Sequence, residues 1–154
     1  MSENRMYDTL PVGPLGLIPL EGCMGLGEKV DAYLAMWRRE RNSETEISAF
    51  SEYQKDSYII EARVPRFGSG EAKGVIGQSV RGDDLFIMVD VCNYSLTYSL
   101  FGQMNHMSPD DHFQNLKRVI AAVGGKARRV NVIMPFLYES RQHKRTGRES
   151  LDCA

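Results

Sequence analysis

The sequence has no uninterrupted apolar run near the roughly 18 residues that a membrane-spanning helix needs, and Met1–Arg5 leads into no hydrophobic stretch of a secretory signal. It has few cysteines. Cys23, Cys92 and Cys153 include no CxxC pair, which disfavours a disulfide framework or a zinc site and favours structural thiols in a reducing compartment. An excess of one charge is also lacking, because 19 Lys and Arg stand against 20 Asp and Glu, a net charge of −1. The molecule as a whole therefore does not attract nucleic acid. These absences predict a cytoplasmic protein that binds neither membranes nor nucleic acid.

The sequence does have enough apolar material for one domain, since 42% of its 154 residues are hydrophobic. Residues 1–14 contain Pro11 and the pair Gly13-Pro14 with little periodicity, and predict an extended N-terminal arm. The apolar run at residues 15–20 predicts a buried strand. A helix should follow, with one apolar face formed by residues at helical spacing: Leu26, Val30, Tyr33, Leu34 and Trp37.

The middle of the chain alternates between polar loops and apolar strands. Residues 42–55 are polar and predict a loop, and residues 57–64 alternate enough to predict a strand. Four glycines within residues 68–77 indicate a mobile loop or a loose hairpin. Residues 85–91 are nearly all apolar, which is typical of a strand covered on both faces of a parallel sheet.

A helix with clear start and stop signals follows this strand. Ser108 is a favourable N-cap, Pro109 suits the first helical position, and Gly124-Gly125 ends the helix. Residues 129–134 predict the next strand. Strand, helix and strand in this order predict a right-handed βαβ unit. The expected fold class is therefore α/β, with a twisted parallel sheet flanked by helices.

Positive charge is concentrated after this last strand. Four bases, Arg141, Lys144, Arg145 and Arg148, stand there with the single acid Glu139. Ligands of open α/β sheets bind beyond the carboxyl ends of the strands, where this segment starts. Arginine and lysine both bind phosphate oxygens. The pattern predicts a polyanion site, and the alternative is a basic loop that only faces water.

The glycine-rich segment does not match the phosphate-binding motifs to which it is superficially similar. No helix pattern follows residues 68–74, and they contain no GxxxxGK[ST] match. The remaining interpretation is a loop that carries Phe67 and Glu71 and covers a site. The three histidines lack metal-ligand spacing: His106, His112 and His143. His112 lies next to acids on a predicted helix and is expected at the surface. The sequence shows no pattern of a nucleophile with an adjacent base.

Two ordered motifs resemble a known family. Residues 66–71, RFGSGE, and residues 80–87, VRGDDLFI, are similar to the RFxDGE and VRGxDVFII run of ribose-phosphate pyrophosphokinases, also called PRPP synthetases. Residues 132–136, VIMPF, and residues 140–145, SRQHKR, are similar to the same family's VIPYxxYxRQDKK. The resemblance covers about residues 15–154. It implies a phosphoribosyltransferase-like domain that is the N-terminal half of a two-domain family member, with the second domain beyond Ala154.

The resemblance implies transfer of a diphosphate from ATP to ribose 5-phosphate, giving PRPP and AMP, with Mg²⁺ as cofactor. It implies catalytic roles for Arg141 and Lys144. The implied ATP-binding residues form two groups: Phe67, Ser69 and Glu71 on the loop, and Arg141, Gln142, His143 and Arg145 after the last strand. Phe67 would pack on adenine and Glu71 would contact the nucleotide, both in a neighbouring subunit's site, which implies a homo-oligomer. The family's metal-associated histidine would lie beyond Ala154, so no metal ligand is expected in this chain.

Two other functions remain open. Ser69 and His143 each stand where the family usually has an aspartate, which favours a non-catalytic regulatory homologue as the first alternative. The segment from Tyr94 to Met107 is longer than in the common family pattern. The second alternative is a nucleic-acid binder that uses the basic residues between Lys126 and Arg148, but aromatic residues are not interleaved with these bases.

Overall fold

The computed structural model describes residues 11–42, 53–141 and 144–150. Its elements follow in chain order: β1 (Leu15–Pro19), a 3₁₀ turn (Glu21–Cys23), α1 (Met24–Asn42), β2 (Ala62–Arg63), β3 (Val75–Ile76), β4 (Asp84–Met88), β5 (Thr97–Leu100), β6 (Gln103–His106), α2 (Pro109–Val123) and β7 (Arg129–Ile133). Neither α1 nor α2 is both long and apolar enough to cross a membrane.

A parallel sheet with the order β1-β4-β7 forms the centre of the fold. Residues 58–60 extend it beyond β1, because Leu17 donates its N–H to the Tyr58 carbonyl at 2.8 Å and accepts from the Ile60 N–H at 2.8 Å. The chain runs from β4 through α2 to β7, which pairs parallel with β4. The strand, helix and strand predicted for the βαβ unit are therefore confirmed in that order. The α/β class with a parallel sheet flanked by helices is confirmed with it.

The core explains why β4 is so apolar. Leu85, Ile87 and Val89 are buried together with Leu116 and Val119 of α2. A second cluster on the α1 side combines one residue each of β1, the 3₁₀ turn, α1, the extended segment beside β1, and β4: Leu17, Cys23, Ala35, Tyr58 and Met88. The strand is shorter than the predicted 85–91, because regular pairing ends at Met88, although residues 89 and 91 remain buried.

The predicted buried face of α1 is only partly right. Val30 and Leu34 pack against the core. Leu26, Tyr33 and Trp37 are instead exposed, and the exposed fraction of Trp37 is 60%. The helix turns a different face to the sheet than predicted, because a small residue there allows a close approach. A Cβ on Gly27 would lie 2.5 Å from the Pro19 Cβ. The large side chains therefore lie outside this contact.

The middle segments form hairpins. The expected strand at residues 57–64 is reduced to the bridge at Ile59 and the two-residue β2, which pairs antiparallel with β3. Two options were predicted for the glycine-rich segment between them, a mobile loop or a loose hairpin, and the structure shows the loose hairpin. β5 and β6 form a second antiparallel hairpin, which the sequence patterns did not predict. Most of the predicted loop at 42–55 and most of the predicted arm at 1–14 lie outside the described residues.

The helix α2 begins and ends as predicted. The Ser108 hydroxyl accepts from the Asp111 N–H, and the Asp111 carboxylate accepts from the Ser108 N–H at 2.9 Å, which completes a capping box. Gly124 ends the helix in the left-handed conformation at φ 59°. The surface position expected for His112 is wrong: its side chain is 4% exposed and Nε2 lies 2.8 Å from the Asn93 carbonyl oxygen. The contact with Asn93 shows that the chain after β4 lies against this face of the helix.

Candidate functional site

A cleft of about 670 Å³ opens at the carboxyl edge of the sheet. Residues that follow β1 and β4 form its floor, including Leu20 and Asp90. The segment that ends at Arg66 and the β5 residue Tyr98 form its walls, and the buried His112 contributes from α2. Clefts of this size hold small ligands in other proteins, and the carboxyl edge is where open α/β sheets bind them.

The loop after Arg66 is held in a defined conformation by its own backbone. The Phe67 N–H donates to the Glu71 carbonyl at 2.7 Å, and the Gly70 N–H donates to the Phe67 carbonyl at 2.9 Å. Gly70 has φ 88°, which glycine adopts without strain. Phe67 remains 52% exposed, and the Ser69 hydroxyl donates to a Glu71 carboxylate oxygen at 3.2 Å. These residues, Phe67 to Glu71, are called the Phe67 loop below.

Arg66 fastens this loop to two other elements. Its guanidinium donates to the Gly70 carbonyl at 3.0 Å and to the Asp111 carboxylate at 3.3 Å. The same group lies 4.0 Å from the centre of the Tyr98 ring, in cation–π contact. The loop is therefore anchored to α2 and to the β5–β6 hairpin.

The Asp111 carboxyl group is held in its charged form. Burial opposes this, but the hydrogen bonds from Ser108 and the nearby positive charge of Arg66 outweigh it, so the pKa of Asp111 is below its ordinary value. One carboxylate thus caps α2 and also holds the arginine that fastens the Phe67 loop.

The segment after β7 packs on the same end of α2. The Tyr138 ring stacks on Phe113, with ring centroids 4.2 Å apart, and its hydroxyl donates to the Asp110 carboxylate at 2.6 Å. This hydrogen bond raises the pKa of Tyr138, and burial adds to the effect. Arg141 follows in the turn and lines a smaller cleft of about 260 Å³ with Cys92 and Glu139. The turn therefore lies at the carboxyl edge, as predicted.

The structure places the predicted site residues in two separate groups. Phe67, Ser69 and Glu71 lie together on the Phe67 loop, whereas Arg141 lies beside the smaller cleft. Lys144 and Arg145 are exposed. Gln142 and His143 lie outside the described residues. The two groups are linked through adjacent acids at the start of α2, because Asp110 binds the Tyr138 hydroxyl and Asp111 binds Arg66.

Sequence reasoning missed several residues that hold the site together. Arg66 belongs to the quoted motif, but the motif alone assigns no role to it, and the sequence patterns assign no role in the site to the first-turn acids of α2. Tyr98 and Phe101 lie in the segment noted only for its length. Gly102 was the available signal, since a glycine between two short runs marks a turn.

Comparison with known proteins identifies the family of this chain. The family model described as the N-terminal domain of ribose phosphate pyrophosphokinase matches residues 16–154. This chain belongs to that family. The predicted family is thereby confirmed over nearly the whole sequence.

Two relatives show how much of a family member the chain represents. A ribose-phosphate pyrophosphokinase of Maricaulis maris (strain MCS10) is 29% identical over 93 residues, which are 60% of this chain and 26% of that protein. The crystal structure of phosphoribosylpyrophosphate synthetase from Mycobacterium smegmatis superimposes on this chain with a TM-score of 0.57 and 20% sequence identity. The match covers 89% of this chain and 35% of the synthetase chain. This structural likeness supports the fold. The chain spans about a quarter to a third of the relatives that it matches.

Proposed function

We propose that this chain is the ATP-binding part of a cytoplasmic ribose-phosphate diphosphokinase, which transfers a diphosphate from ATP to ribose 5-phosphate and releases AMP. The observation that carries the proposal is the position of Arg141 at the carboxyl edge of the sheet, next to a cleft and shortly after β7. A basic turn at this edge is suited to a triphosphate. In the proposal Lys144 and Arg145, with Gln142 and His143, line the same site.

No residue of the Phe67 loop lines the cleft beside Arg141, which supports a site shared between copies. The Phe67 loop is fastened to the hairpin and to Asp111, while the Arg141 turn packs on Phe113 through Tyr138. A loop fixed apart from the basic turn can meet a nucleotide on another copy. Phe67 would stack on the adenine there, and Glu71 would contact the same nucleotide. The proposed protein is therefore a homo-oligomer.

The proposed mechanism needs positioning and positive charge rather than a nucleophilic side chain. In phosphoryl transfer the charge spreads over the phosphate oxygens in the transition state, and fixed cations stabilise it. Arg141 would bind those oxygens through its planar fork, and Lys144 would add a point charge. The ribose 5-phosphate hydroxyl would attack the middle phosphorus, with AMP as the leaving group.

Mg²⁺ is part of the proposal as the ion that accompanies the triphosphate. The described residues contain no group of three or more His, Cys, Asp or Glu side chains that could hold a metal alone. Within that part of the chain, Glu139 Oε2 is buried without a hydrogen-bond partner beside the cleft that Arg141 lines, and the Asp110 carboxylate lines the same cleft. One or two carboxylates with substrate phosphates are a usual Mg²⁺ shell. Asp110 and Glu139 fit that role, and the ion would neutralise phosphate charge.

A non-catalytic regulatory homologue is the second candidate. One observation favours it: the Ser69 hydroxyl, which donates to a Glu71 carboxylate oxygen at 3.2 Å, carries no negative charge where the family usually has an aspartate. Such a protein would keep the fold and the oligomer contacts and would not turn over ATP.

Titration calorimetry with ATP separates these candidates. It is best performed on the protein extended to the length of its relatives, because the chain covers only 26–35% of them. The enzyme requires ATP binding together with AMP release when ribose 5-phosphate and Mg²⁺ are added. ATP binding without AMP release, or no ATP binding at all, would contradict the enzyme and support the regulatory homologue, which keeps the fold but has lost the site.

A further inference from the structure

The tip of the β5–β6 hairpin places an aromatic ring where the backbone disfavours it. Phe101 and Gly102 have φ 48° and 82°, so both central residues of this two-residue turn are left-handed. Asn-Gly is the favoured pair for such a turn, and a bulky residue at a positive φ is strained. The Phe101 side chain is also 82% exposed. Neither backbone preference nor burial in this chain accounts for a phenylalanine here, and such strained positions cluster at ligand contacts.

The tip is attached to the Phe67 loop. The Phe101 N–H donates to the Gly68 carbonyl at 2.9 Å. Leu100 packs so closely on the loop that a Cβ on Gly70 would lie 2.9 Å from its Cδ1. Tyr98, two residues earlier on the same face of the hairpin, lies under Arg66. The hairpin and the loop therefore form one unit that carries two exposed aromatic rings.

We propose that Phe101 is a second aromatic contact for the nucleotide base, placed beside Phe67 by the hairpin. This inference rests on the proposed function, in which the Phe67 loop covers adenine. Aromatic side chains bind nucleobases by stacking, which needs an exposed face and no hydrogen-bond match. The hydrogen bond to Gly68 fixes the Phe101 backbone next to the loop.

The variant Phe101→Asn removes the phenyl ring and leaves the backbone of the turn unchanged. Asparagine adopts the left-handed conformation readily and keeps the N–H that binds Gly68, so the variant should fold and melt no earlier than the parent. Met104→Gln is the matched control. Met104 is 67% exposed on the same hairpin and pairs with Ser99, which places it on the face opposite Tyr98 and Leu100.

ATP affinity and steady-state kinetics of the protein extended to family length test the proposal. Phe101→Asn and Phe67→Ala should each weaken ATP binding about fivefold or more, and should raise the KM for ATP with kcat nearly unchanged. Met104→Gln should stay within about twofold of the parent.

The outcomes separate this inference from the proposed function. If Phe67→Ala weakens ATP binding and Phe101→Asn does not, the second contact is wrong and the proposed function stands. If Phe101→Asn changes only the oligomeric state, the ring contacts another copy, and the inference is wrong in that case too. If neither Phe67→Ala nor Arg141→Ala alters ATP affinity, the proposed function itself fails.

Discussion

Single residues determine how the two halves of the candidate site are joined. Asp110 and Asp111 are neighbours in sequence, yet the first binds the Tyr138 hydroxyl and the second binds Arg66. Both acids also lie in the first turn of α2, where negative charge is favourable. The same pair thus stabilises the helix and holds a segment on each side of it.

Arg141→Ala should lower diphosphate transfer by about two orders of magnitude or more. Loss of a cation that binds charge developed in the transition state typically costs about 2.7–4 kcal/mol. The rate of AMP release by the protein extended to family length measures this. Arg128→Ala is the control, because Arg128 is exposed just before β7, at the amino end of the strand, and its rate should match the parent. A near-normal rate for Arg141→Ala would contradict the site assignment.

Phe67→Ala should weaken ATP binding by about 1 kcal/mol or more, because the ring would no longer stack on adenine. Titration calorimetry measures the affinity. Tyr33→Ala removes an equally exposed ring from α1 and should not change it. Unaltered affinity in Phe67→Ala would show that the loop does not cover the base.

Residue roles in this site were only partly accessible from the sequence. The motif around Arg66 was found because it matches a family pattern, and the basic run at Arg141 was found from its concentration of positive charge after the last strand. The contacts of Asp111 with Arg66 and of Tyr98 with Arg66 join residues more than 30 positions apart. Local patterns do not encode such pairings, since they depend on how the hairpin folds over the helix.

At the scale of elements, α2 is the one whose ends were predicted most closely. Its Ser108 cap, first-turn acids and Gly124 end all act through local hydrogen bonds and backbone conformation. The buried face of α1 depended instead on the close approach of Gly27 to Pro19, which is a tertiary contact. The β5–β6 hairpin was missed because its strands are four residues long and largely polar.

Asp111→Asn should destabilise the protein by about 1 kcal/mol at pH 7 and lower its Tm by roughly 2–4 °C. The variant weakens the capping box and the ion pair with Arg66. Thermal unfolding followed by circular dichroism measures the change. Glu28→Gln on the exposed side of α1 serves as the control and should melt with the parent.

The same substitution predicts a pH dependence. The pKa of Asp111 is lower in the folded protein than in the unfolded chain. Its stabilisation is therefore fully present above the unfolded value of about 4 and is lost as the pH falls through the folded value. The Tm difference between parent and Asp111→Asn should accordingly shrink below about pH 4. A difference that grows in acid would contradict this assignment.

At the scale of the whole molecule, the chain contains a folded sheet and one side of the proposed site. Two or three charge-assisted hydrogen bonds at about 1.5–3 kcal/mol each, with one aromatic contact near 1 kcal/mol, must offset several kcal/mol of association cost. The expected ATP affinity of the 154-residue chain is therefore millimolar or weaker.

The isolated 154-residue chain should not form PRPP. The chain covers only 26–35% of the length of the relatives that it matches, and groups elsewhere in that length are expected to be needed for turnover. An AMP-release assay with ATP, Mg²⁺ and ribose 5-phosphate checks this, with the protein extended to family length as the positive control. Turnover by the isolated chain would show that these groups are not needed.

The paired acids of α2 have a mechanical consequence. Because the Phe67 loop and the Arg141 turn are tethered to consecutive residues of one rigid helix, they cannot drift independently by much. A tilt at the start of α2 would displace both at once, so a substitution far down that helix, remote from any substrate, can disturb with a single movement the Arg141 turn of this copy and the loop that it offers to a neighbouring copy.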